Sequence, residues 1–180
     1  MRIYKPIGAD HYEIIHCVDE EDCDLFYDLD GTSRKDSWTP IQVKRAECEE
    51  PGDTLASDFP WFGSDVLIFR TRAVVALRDL LDRHGELLPL ATEDDVKLFA
   101  FHAWVVDALD EERSKLLRIP DTGQIMYIQK PAFFEDKIRG LDIFRLSFRA
   151  RPTYVSERFV ERVHQAGLVG LDFEHVATIS

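Results

Sequence analysis

The 180-residue chain has no uninterrupted apolar run of about 18 residues, so no segment is expected to span a membrane as a helix. Its opening, MRIYKPIGAD, lacks the apolar core of a secretory signal, which places the expected location in the cytoplasm. Cysteine is scarce: Cys17, Cys23 and Cys48 are odd in number and unevenly spaced, and reduced thiols are the expectation. There is no HExxH, paired CxxC, GxSxG or phosphate-binding loop, which removes the common local signatures of metalloproteases, zinc ribbons, serine hydrolases and nucleotide enzymes. His16, Cys17 and Cys23 do not have the spacing of a structural zinc site. DLFYDLDG (24–31) fails as a calcium loop, because counting back from Gly31 puts Phe26 at the first ligand position and Ser37 at the twelfth. No cofactor and no metal are expected.

Basic residues are also missing from one long stretch. Between Pro6 and Ser33 there is no Lys or Arg, yet nine acids occur: Asp10, Glu13, Asp19, Glu20, Glu21, Asp22, Asp24, Asp28 and Asp30. The whole chain carries 22 Lys and Arg against 34 Asp and Glu, a net charge of −12; residues 1–60 hold 6 against 15, or −9. Such a field repels nucleic acid and anionic membranes and attracts a basic partner. It also serves solubility alone, so aromatic residues within it carry the argument further. Tyr12, Phe26 and Tyr27 lie among the acids, and aromatic anchors beside charge are what binding surfaces use.

At 45% hydrophobic and 11% aromatic content the chain is expected to form a packed globule, a single domain over residues 1–180. Residues 152–176 hold the clearest local signals. Tyr154 and Val155 read as a strand, Ser156 as a helix cap, Val160 and Val163 with Phe159 as a buried stripe, and Gly167 as a left-handed stop before a second strand. Residues 66–90 repeat the phrase, with Val74, Leu77 and Leu81 on the helix and a stop at Gly85. Two readings stand: a pair of related strand–helix–strand units, or two ordinary features of an α+β domain. Elsewhere, residues 1–6 and 41–46 read as strands, 22–29 as a short helix and 48–58 as a polar loop. Residues 115–119 and 124–130 flank Asp121-Thr122-Gly123 as a hairpin, 131–139 form a helix stopped by Gly140, and 142–146 a strand. Residues 92–109 combine a capped helix start at Thr92 with aromatic and β-branched side chains, and the latter predict a buried strand over 97–106. The fold class is α+β, a mostly antiparallel or mixed sheet of seven to nine strands with three or four helices.

DFPWFGSD (58–65), VVDALDEERS (105–114), GLDIFRL (140–146), YVSERFVERV (154–163) and GLVGLDF (167–173) occur in the order found in immunity-protein family eleven of bacterial polymorphic toxin systems. The chain resembles that family over residues 58–176, with 1–57 as an acidic N-terminal part in which LDGTSRKDSW (29–38) looks like the family's N-terminal extension. The resemblance implies a non-enzymatic protein that neutralises a cognate toxin. Taken with the charge, it makes Tyr12, Asp19, Glu20, Glu21, Asp22, Asp24, Phe26, Tyr27 and Asp28 the toxin-binding candidates and a basic toxin face the expected partner. Two alternatives remain: a metal-assisted hydrolase using His102, Asp107 and Asp110, or a cytoplasmic adaptor for a different protein. Each hydrolase residue also has a structural reading, His102 as a sheet histidine and the two Asp as acceptors closing a turn. Arg145, Arg149, Arg151, Arg158 and Arg162 make the C-terminal end basic, and internal pairing with the acidic segment is expected.

Overall fold

The computed structural model describes residues 1–46, 54–147 and 152–179; Cys48, Arg149, Arg151 and much of the polar loop over 48–58 lie outside them. Along the described residues run β1 (Arg2–Gly8), β2 (Ile15–Cys17), α1 (Glu20–Tyr27), β3 (Val43–Arg45), β4 (Leu67–Arg70), α2 (Thr71–His84), β5 (Gly85–Pro89) and β6 (Leu98–Ala103). Then follow β7 (Val105–Val106), β8 (Lys115–Arg118), β9 (Ile125–Lys130), α3 (Glu135–Ile138), β10 (Ile143–Leu146), β11 (Tyr154–Ser156), α4 (Glu157–Gln165) and β12 (Leu171–Thr178). The class is α+β, with four helices as expected but 12 strands rather than seven to nine. The excess lies in pieces too short for a periodicity argument, such as the three-residue β2 and the break of 97–106 into β6 and β7.

The two strand–helix–strand phrases have the same topology. In the first, β4 and β5 both run antiparallel to β6, which lies between them. In the second, β11 and β12 both run antiparallel to β1, which again lies between them, and β10 and β7 extend that sheet. One core joins both units. It contains Leu67 and Phe69 from β4, Leu77 and Leu81 from α2, Phe101 from β6, Val155 from β11 and Phe159 and Val163 from α4. The other face of each sheet is also covered. Ile68, Leu88 and Ala100 pack under a first cap made by β2, α1 and β3, while Phe144 and Tyr154 pack under a second cap holding the β8–β9 hairpin, α3 and Phe133. Burial on both faces explains why β4 reads as an unbroken apolar run rather than an alternating one.

Side chains tie the helices in place. Ser156 accepts the Phe159 N–H at 3.3 Å and donates to Asp142 Oδ1 at 2.7 Å, so the cap of α4 is also a link to β10. Ser156→Ala is expected to cost about 1–2 kcal/mol, read from the urea midpoint at unchanged slope. At the other end Gly167 takes φ +60°, the left-handed stop its position predicts, and Arg72 donates to the last carbonyls, Ala166 O at 3.1 Å and Gly167 O at 3.0 Å. Gly85 has a different reason from the one expected. Its φ of 171° is extended, and glycine is required there because a Cβ would lie 2.4 Å from the His102 carbonyl on β6. Among the described C-terminal arginines, Arg158 and Arg162 meet Asp79 on α2, and Arg158 also meets Asp142, rather than the acidic segment as expected, while Arg145 donates to the Leu29 carbonyl within that segment.

Candidate functional site

The first cap carries the acidic segment. Asp19 caps α1 by accepting the Glu21 N–H at 3.0 Å, which fixes Glu20, Glu21 and Asp22 in the first turn, where the helix dipole favours them. None of these three makes a salt bridge among the described residues. Asp24, Tyr27 and Asp28 are exposed on the later turn and C-cap, and the Asp28 N–H closes onto Asp24 O at 3.1 Å.

The aromatic assignments need correction. Phe26 is 0% exposed, with its ring 4.9 Å from Phe62 and 6.2 Å from Trp38 at their centroids, so it is a core residue of the cap and leaves the binding set. An eight-residue helix on a sheet must turn one apolar side inward, and Phe26 is that side. Tyr12 is half-buried, its backbone bridged to Leu55. The exposed apolar positions near the acids are instead Val18, Leu25 (48% exposed) and Tyr27. Glu13 also leaves the surface: it is buried, binding Arg45 and Arg70. The cysteine expectation changes too. Cys17 points inward from β2, α1 brings Cys23 to it with the Cα atoms 6.0 Å apart, and the two form a disulfide. The redox poise of the compartment decides which form such a pair populates.

Behind α1, residues 31–34 are held by a buried polar network. Gly31 N–H donates to His102 Nε2 at 2.9 Å, so Nδ1 carries the ring proton and donates to Glu86 Oε1 at 3.1 Å. Glu86 also accepts from Ser33 Oγ at 2.9 Å and from Arg34 N–H at 2.6 Å. Burial lowers the His102 pKa and Glu86 opposes it only in part. Burial alone would raise Glu86, but the Arg34 N–H, the Ser33 hydroxyl and His102 outweigh it and hold the carboxyl below its ordinary value. Both folded values lie below the unfolded ones, so the unfolded chain binds the protons more readily on acidification. The His102 contribution is present above its ordinary value of 6.5 and is lost as pH falls toward the depressed value; the Glu86 contribution goes at lower pH. Stability is therefore expected to fall over the window that opens at the ordinary histidine value of 6.5 and extends downward from it. In His102→Gln the slope over that window, measured by denaturant titration, should flatten.

The three residues of the hydrolase reading do not converge. His102 uses both ring nitrogens inside the network, Asp107 is exposed beside Lys137, and Asp110 closes its turn by accepting the Arg113 N–H at 3.0 Å. Arg113, through its guanidinium and then its N–H, lowers the Asp110 carboxyl below the usual range. Among the described residues no three His, Cys, Asp or Glu side chains are grouped so as to hold a metal ion. No helix among them is long and apolar enough to cross a membrane. The β8–β9 hairpin shows a surface the sequence reading missed, with Met126 64% and Tyr127 54% exposed and Leu117 opposite Tyr127. Its signal was the run IMYI, which is apolar on both faces of a two-stranded ribbon.

A family model described as Immunity protein family (Imm11) matches residues 102–178, from the end of β6 through the hairpin to β12. Over that stretch, a little under half of the chain, the protein is similar to immunity proteins, and the family is the one its sequence phrases resemble. The matched stretch begins after DFPWFGSD and the 66–90 unit, and it excludes the acidic cap. The search of curated proteins found no match.

Proposed function

We propose that the protein is an immunity protein that binds a cognate bacterial toxin in the cytoplasm and neutralises it by stoichiometric occlusion, with no catalysis of its own. The family similarity supports the class of function. The observation that carries the mode of binding is the surface of α1: Glu20, Glu21 and Asp22, with no salt bridge among the described residues, beside exposed Val18, Leu25 and Tyr27. Apolar side chains inside a charged rim are the arrangement of a specific interface, with the charge setting encounter and orientation. The toxin face it fits is basic.

Affinity capture from the native cell tests this reading. A toxin with a basic surface should be retained, and Leu25→Ala should speed its dissociation while Tyr127→Ala on the hairpin leaves it unchanged. Recovery of a non-toxin partner would favour the adaptor reading. Loss of binding in Tyr127→Ala with Leu25→Ala unaffected would move the interface to the hairpin.

A further inference from the structure

We propose that the cleft between the loop after α1 and the end of β10 binds a small molecule bearing a carboxylate on an apolar body. The cleft has a volume of about 580 Å³, and its walls include Tyr27, Leu29, Arg34, Val105, Arg145 and Leu146. That lies within the size range of small-ligand pockets, roughly 300–1,000 Å³.

Its unusual feature is two guanidiniums with unmet donors. Arg145 is only 2% exposed and makes no salt bridge among the described residues; its Nη1 donates to Leu29 O at 3.2 Å. Arg34 donates from Nη2 to Asp28 O at 3.2 Å and stands 3.5 Å from Asp30. Among the described residues, the only buried side-chain polar atoms without a hydrogen-bond partner are Arg34 Nε and Arg145 Nε, and both residues line this one cleft. Burial lowers the Arg145 pKa, and Asp65, with which it forms no salt bridge, opposes this only in part. A buried guanidinium so weakly compensated is costly to fold, and a planar donor fork matches a carboxylate in two parallel bonds.

The setting narrows the ligand. Asp30 already offsets part of the Arg34 charge and Asp28 stands in the wall, so a singly charged acid fits better than a polyanion. Tyr27, Leu29, Val105 and Leu146 give apolar surface for the rest of the molecule. The cleft is pre-formed: Gly31 is held by His102, and Arg34 is fixed through its own N–H to Glu86. Gly31 sits flush on β7, where a Cβ would come within 2.9 Å of the Val105 side chain.

Benzoate is the probe. Titrated against sodium chloride at equal ionic strength, it should raise the thermal midpoint along a saturating curve, as a site-bound ligand does. Arg34→Met and Arg145→Met should each weaken apparent binding by about tenfold or more, the worth of a charge-assisted hydrogen bond. Arg145→Met should also fold with a midpoint in chloride no lower than that of the wild type, since a buried charge has been replaced by an apolar chain. Arg34 is partly exposed, so its variant decides the matter even if the Arg145 variant fails to fold. Absence of a saturable rise, or a rise that persists unchanged in Arg34→Met, would overturn the proposal.

Discussion

Glu13→Ala is expected to cost about 3 kcal/mol of folding stability, one of the largest single effects in the chain. The carboxylate is buried where three segments meet. It accepts from Arg45 at the end of β3 at 2.7 Å, from the Ser57 N–H at 2.9 Å and from Arg70 at the end of β4. Arg45 is more than half exposed and would return to water, which limits its share of the loss. The Ser57 N–H is buried and Arg70 mostly so, and both would lose their acceptor with no solvent to replace it. Ser57 in turn sits within van der Waals reach of Gly170, whose φ of +107° and close approach leave no room for rearrangement. Glu13→Gln keeps the volume and one acceptor and should cost less than half as much. Urea denaturation of the two variants checks both the size and the order.

Reversing Glu20, Glu21 and Asp22 to Lys together is expected to slow association with the toxin by about tenfold to a hundredfold at low salt. Asp19 is left unchanged because it caps α1. The same variant should lose most of the salt dependence seen in the wild type, since screening acts on the charges that were removed. Dissociation should change far less, because exposed rim charges act mainly on encounter. Lysines in the first turn oppose the helix dipole, at about 0.5 kcal/mol each, so circular dichroism is needed to show that α1 persists. Stopped-flow association at several salt concentrations separates these effects; unchanged kinetics would leave the segment as a solubility feature.

The parts of this fold that were legible in the sequence are those set by neighbours along the chain. Ser156, Val160, Val163 and Gly167 each do what their spacing predicts, and the β8–β9 hairpin turns at Gly123 with φ +68°. The missed features depend on partners far away. The acidity of Glu13 looked like surface because Arg45 and Arg70 lie 32 and 57 residues on. His102 looked like a candidate ligand because its partner at Gly31 is 71 residues away. Phe26 and Leu25 are adjacent, and only the packing against Phe62 and Trp38 decides which of them faces inward. The composition identified the acidic face, but which of its side chains are free to meet a partner is a tertiary property.

The central claim is neutralisation by one-to-one binding, and a titration of toxin activity against added protein tests it most directly. With toxin held well above the dissociation constant, activity should fall linearly and reach its floor at one molecule of protein per toxin, and the triple lysine variant should need longer mixing to reach the same end point. Neutralisation of many toxin molecules by each molecule of protein would contradict the account, because it requires turnover.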